Sequence, residues 1–132
     1  MVSITKITAN GSLTNWCSGT IISTTFVLTA AHCVERNNTH ELLLVFGSTD
    51  FADEDGFHRV EREIKGHYIH PRYDTKYHYF DLALIEVDIP LEFSLGIQSI
   101  CLPDSATADV DFRANDAATL IGYGLKRPNN LL

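Results

Sequence analysis

The sequence has no long apolar run. The longest, Leu42-Leu43-Leu44-Val45-Phe46, falls far short of the ~20 residues a membrane-spanning helix needs, so no membrane partnership is expected. Residues 1–10 contain no apolar h-region, so no secretory signal is visible in them. Positive charge is scarce. Ten Lys and Arg stand against 17 Asp and Glu, a net charge of −7. No Lys/Arg stripe offsets that balance, which excludes nucleic acid as an expected partner. There is no internal repeat, no low-complexity tract and no apolar pattern with a sustained 3.6-residue period. Cysteine is sparse and odd in number, so of the three at least one lacks a partner within the chain.

What is present is a foldable core. Of 132 residues, 45% are hydrophobic and 20% charged, which argues against a disordered tail. The length suits one domain or a large piece of one. Short β-branched and aromatic runs alternate with turn residues. Val2 to Thr5, Thr20 to Ser23, Phe26 to Thr29, Leu42 to Phe46, Val60 to Ile64 and on to His67, Leu82 to Val87, and Thr119 to Gly124 all read as strands. Asn10-Gly11-Ser12 and Ser23-Thr24-Thr25 read as turns, His70-Pro71-Arg72-Tyr73 as a loop, and Ala30 to Val34 as one helical turn. This pattern predicts an all-β barrel or sandwich. Two sequons, at Asn10 and Asn37, would permit glycosylation in a secretory setting.

The chemistry concentrates around two residues. Cys17 and Cys33 bracket two strands joined by a tight turn, which returns the chain near its start and makes a disulfide reasonable. Their spacing is not the C-x-x-C of a zinc site. Such a bridge would pin the backbone beside His32, and a catalytic base needs fixed placement. An imidazole can take and return a proton at neutral pH, provided an acceptor orients its second nitrogen. Asp81, directly before an apolar strand, is the candidate acceptor, since a buried carboxylate needs a donor. His40, His58, His67, His70 and His78 match no compact ligand spacing and read as solvated loop residues, so no metal site is expected among them. Asp50, Asp53, Glu54 and Asp55 cluster hard oxygen ligands that would suit calcium; a solvated acidic turn is the other reading. Tyr68, Tyr73, Tyr77, Tyr79 and Phe80 read as packing and cleft wall.

Cys17-Ser18-Gly19-Thr20-Ile21-Ile22-Ser23, followed by Val27-Leu28-Thr29-Ala30-Ala31-His32-Cys33, resembles the trypsin/chymotrypsin-like serine protease family. Phe80-Asp81-Leu82-Ala83-Leu84-Ile85 resembles that family's segment around the catalytic aspartate. His70-Pro71-Arg72-Tyr73, Cys101-Leu102-Pro103 and Gly122-Tyr123-Gly124 fall in the family's order. The resemblance spans nearly the whole chain. It implies a Greek-key, six-stranded antiparallel barrel, the first of the family's two, with residues 1–132 a partial protease domain. It implies His32 as general base and acid and Asp81 as the group that orients it. It implies serine-type hydrolysis of polypeptides, a secreted setting with any signal lying upstream, and no organic cofactor. Some family members bind calcium near the position of the acidic turn.

The departures are as informative. No serine of this chain sits in a Gly-Asp-Ser-Gly-Gly context, so these residues alone are expected to be inactive. A non-catalytic homologue acting as a binding module, or a truncated product, are the alternatives. Related proteases use the cysteine of a Cys-Leu-Pro element to hold a light chain or propeptide, which Cys101 would do here; a reduced, buried structural cysteine is the other reading.

Overall fold

The computed structural model describes residues 1–36, 39–48, 58–104, 117 and 119–123. Seven strands are present among them: β1 (Val2–Ile7), β2 (Leu13–Ile21), β3 (Phe26–Thr29), β4 (Leu42–Phe46), β5 (Val60–Arg62), β6 (Ile64–Ile69) and β7 (Ala83–Val87). All pairings are antiparallel, and the strands follow the order β5-β4-β1-β2-β3-β7-β6. Within that order β4-β1-β2-β3 is a Greek key: three hairpin-connected strands, with the fourth returning beside the first. The fold is therefore the expected all-β barrel type.

The strand count is seven rather than six, and the reason is local. The stretch from Val60 through His67, read as one strand, changes partner at Glu63. Before that residue β5 pairs with β4; after it β6 pairs with β7. Glu63 leaves the ladders, and its carbonyl accepts the Asp88 N–H at 3.1 Å. The two edges of the curled sheet are thus two halves of one continuous segment.

Alternation builds the core. Val2 and Ile4 of β1, Leu42, Leu44 and Phe46 of β4, Val27 of β3, and Ala83, Ile85 and Val87 of β7 are all buried in one cluster. The buried hydroxyls beside them have acceptors: Thr5 Oγ1 donates to Leu43 O at 2.8 Å and Thr29 Oγ1 to Ser18 O at 3.0 Å. These bonds remove the penalty of an unsatisfied buried group.

Two features of β2 shape the curl. Its residues up to Gly19 pair with β1, and Thr20 and Ile21 pair with β3. At this crossover a Cβ on Gly19 would lie 2.6 Å from Val27 Cγ1 and 3.0 Å from Val2 Cγ1, so only glycine lets the neighbouring strands close up. Between Ile4 and Thr5 the register slips, with partners Cys17 and Asn15, so Trp16 is an extra residue. Such a bulge re-aims a side chain, and Trp16 Nε1 donates to Cys33 O at 2.9 Å.

The two turns form as expected. Gly11 takes the left-handed φ of 81° that the β1–β2 turn requires. Ser23 Oγ accepts the N–H groups of Thr25 and Phe26 in the β2–β3 turn. Thr119 to Tyr123 is not a strand, contrary to expectation. No described strand pairs with it, and Leu120 and Ile121 are exposed; without a partner ladder β-propensity alone does not make a strand.

Candidate active site

His32 follows β3 in a single 3-10 turn, Ala31–Cys33. The turn is too short to hold itself, since isolated turns are costly to nucleate. It is held from both sides. Ala31 and Cys33 are buried in the core, and Cys33 is bonded to Cys17 on β2, with Cα atoms 6.1 Å apart. The Cys33 carbonyl is engaged by Trp16. The exposed ring of His32 therefore projects from an anchored backbone.

Asp81 arrives from a different part of the chain, in the two-residue approach to β7. Its carboxylate grips His32 twice. Oδ1 accepts the His32 backbone N–H at 2.9 Å, and Oδ2 lies 2.7 Å from Nδ1 of the ring. This two-point contact fixes both the ring's position and its rotation. Burial alone would raise the Asp81 carboxyl; the bonds from the His32 ring and backbone, its charge, and a bond from Ala31 outweigh that and hold it below the ordinary value of 3.8. The side chains differ in access, with His32 46% exposed and Asp81 22%. With Asp81 on Nδ1, the far nitrogen Nε2, which lies 3.5 Å from the weak acceptor Cys33 Sγ, is the one left for chemistry.

The loop between β6 and β7 walls this pair. Asp74 organises it: Oδ1 accepts the N–H groups of Lys76 and Tyr77, both at 2.8 Å, and its carbonyl accepts the His78 N–H at 2.8 Å. Within the loop, His78 and Phe80 adopt left-handed φ values of 54° and 53°. A non-glycine residue there costs on the order of 1–3 kcal/mol and persists only where the surroundings impose it. Phe80 is held by stacking on His70 at 5.1 Å between centroids and by Arg72 at 4.1 Å. His78 lies edge-on to His32, with centroids 5.8 Å apart. Its Nδ1 is 3.2 Å from the Tyr73 hydroxyl. Burial, then the Glu35 and Asp81 carboxylates, raise the Tyr73 phenol above 10.0, so it stays protonated.

The structure thus brings His32, Asp81, Cys17 and Cys33 into one locale. His40, His58, His67 and His70 are not part of it. His78, an exposed loop residue as expected, is beside His32 as well. Its only trace in the sequence is the Asp74 turn signal four residues earlier. Of the aromatics read as packing and cleft wall, Tyr73 packs against the core, Tyr77, Tyr79 and Phe80 stand exposed on the loop that walls the pair, and Tyr68 is exposed on β6. Cys101 is exposed rather than buried. The acidic residues Asp50, Asp53, Glu54 and Asp55, and the sequon at Asn37, lie outside the described residues. Among the described residues no helix is long and apolar enough to cross a membrane.

Comparison with known proteins gives a consistent picture. The family model described as Trypsin matches residues 1–132. Serine proteinase stubble of Drosophila melanogaster is 30% identical over 114 residues, covering 86% of this chain and 14% of that protein. Clotting factor C of Tachypleus tridentatus is 29% identical over 121 residues, covering 86% of this chain and 12% of that protein. Vitamin K-dependent protein C of Mus musculus is 34% identical over 108 residues, covering 82% of this chain and 23% of that protein. The chain therefore spans less than a quarter of the length of each of these relatives.

Proposed function

The chain belongs to the trypsin family of serine proteases, and from that premise we propose that it carries the histidine and aspartate of a Ser-His-Asp triad that hydrolyses polypeptides. The observation that supports this reading is the double grip of Asp81 on His32, through the ring at 2.7 Å and the backbone at 2.9 Å. A serine hydroxyl supplied by sequence other than these 132 residues would attack the scissile carbonyl. His32 Nε2 would accept the hydroxyl proton and return it to the leaving amine. Asp81 would hold Nδ1–H and stabilise the imidazolium formed between those two transfers. No organic cofactor takes part in this scheme.

The experiment is peptidase turnover by the protein extended to include its nucleophile. His32→Ala should abolish triad turnover. Asp81→Asn should lower kcat by about 10⁴-fold, because the amide supports the wrong imidazole tautomer. The 132-residue chain alone should show none. Turnover indifferent to His32→Ala would overturn the assignment, and polypeptide binding without any turnover would identify a non-catalytic homologue. The reading extends to a secreted protein in which the exposed Cys101 joins a light chain or propeptide. Non-reducing electrophoresis of the processed protein, with Cys101→Ser releasing the second chain, checks that link.

A further inference from the structure

Three metal-ligating side chains converge beside the His32 ring. One atom each from His32, His78 and Asp81 lie within 4.8 Å of one another. We propose that these three residues form a binding site for a zinc ion, and that zinc bound there blocks proton transfer at His32. Two imidazoles and one carboxylate are a ligand set that zinc accepts, with the fourth position open to water. Bonds of about 2.0–2.2 Å to a tetrahedral ion place ligand atoms roughly 3.3 Å apart. His32 Nδ1 and Asp81 Oδ2, 2.7 Å apart, are already closer than that and need only open slightly to admit the ion, and His78, within 4.8 Å of both, has at most about 1.5 Å to close. His78 is exposed, so rotation of its ring toward the fixed His32–Asp81 pair can supply this closure without moving backbone.

Two features make His78 more than a passing neighbour. Its backbone is held in the left-handed region by the Asp74 turn, which presents the ring edge-on to His32 at an interplanar angle of 90°. Its Nδ1 meets the Tyr73 hydroxyl at 3.2 Å. An outer partner of this kind fixes which ring nitrogen faces a metal and orients the ring. The other candidate group, Cys17, His32 and Cys33, is no rival, because its two sulfurs are bonded to each other.

Zinc on the His32 ring occupies a lone pair that a general base needs, and competes for the carboxylate that orients the ring. This consequence rests on the proposed catalytic role; the metal site itself does not. The test is therefore calorimetric titration of zinc into the 132-residue chain, with cobalt(II) as an optical reporter of tetrahedral coordination. One equivalent should bind. His32→Ala and His78→Asn should each remove that binding; asparagine tolerates the left-handed backbone at this position. Tyr73→Phe should weaken it by roughly tenfold, as loss of an outer partner does. His70→Ala, outside the cluster, should leave it unchanged, and thermal melts establish that each variant is folded. Wild-type affinity in folded His78→Asn, or no binding to the wild type, would overturn the site. In the extended protein, zinc should lower turnover reversibly to chelator, each protein compared with its own metal-free rate, and His78→Asn should be insensitive. Absent metal-free turnover would count against the proposed function and leave the titration to decide the site.

Discussion

His32 and Asp81 are 49 residues apart in sequence yet meet at two points. One carboxylate therefore serves the backbone of a short turn and the ring it carries. The stability linked to this contact depends on pH in a definite direction. The folded carboxyl titrates below 3.8, so the folded state binds fewer protons than the unfolded chain. Its contribution is fully present above the unfolded value and disappears as pH falls through the folded one. The melting temperature of the wild type should exceed that of Asp81→Asn at neutral pH, and the gap should close as acid titrates this group. A gap unchanged by acid would mean the carboxylate's charge does not matter. Gly19 gives a steric counterpart. A methyl group there meets two valine side chains and the Leu28 carbonyl at 3.1 Å, so Gly19→Ala should cost about 1–3 kcal/mol by overpacking. Denaturant unfolding measures it. At this scale the pair was legible because a rare motif surrounded each member. His78 was not, since its proximity arises from a loop conformation with no fixed spacing to His32.

The Ala31–Cys33 turn shows how an element too short to stand alone is made permanent. The Cys17–Cys33 bridge closes a span of 16 residues, and a loop of this length is stabilised by about 3 kcal/mol on chain-entropy grounds. The double variant Cys17→Ser/Cys33→Ser should lose about that much in equilibrium unfolding. It should also broaden the His32 ring signals in NMR, because the anchor beneath the ring is gone. Unchanged stability would place the anchoring in the Ala31 and Trp16 contacts instead. Most strands could be read from β-branched and aromatic runs bounded by turn residues. Their breaks could not. Glu63 leaves the ladder because β4 and β7 each claim one half of its segment, and Trp16 bulges because the β1 register slips. Both are decided by partners distant in sequence. The Thr119 to Tyr123 segment is the converse, with strand-like composition and no pairing strand among the described residues.

Taken as a whole, the molecule is well packed inside and carries bare apolar side chains outside. Leu95, Leu120 and Ile121 are 95%, 100% and 70% exposed, and Ile100 and Leu102 are also exposed. A groove of about 510 Å³ runs between Ile21, Leu28, Ile100 and Leu120. Large contiguous apolar surface marks an interaction face or an aggregation hazard. The 132-residue chain should therefore self-associate with rising concentration in sedimentation velocity, and Leu120→Ser with Ile121→Ser should reduce it. A strictly monomeric wild-type sample would show that this face is tolerated by water.

The change of partner at Glu63 has a consequence for how such association can proceed. A sheet whose first and last strands belong to one segment is a hoop with a single-residue clasp. A hoop keeps its two edge strands, β5 and β6, short and tied end to end, so a second molecule has little straight edge to extend. Contact between copies then falls mainly to side chains, which favours reversible clusters over fibres. Cutting the backbone between Arg62 and Ile64 would untie the two edge strands from each other. The same apolar surface would then sit beside a template for strand addition, and solubility would hinge on one peptide bond.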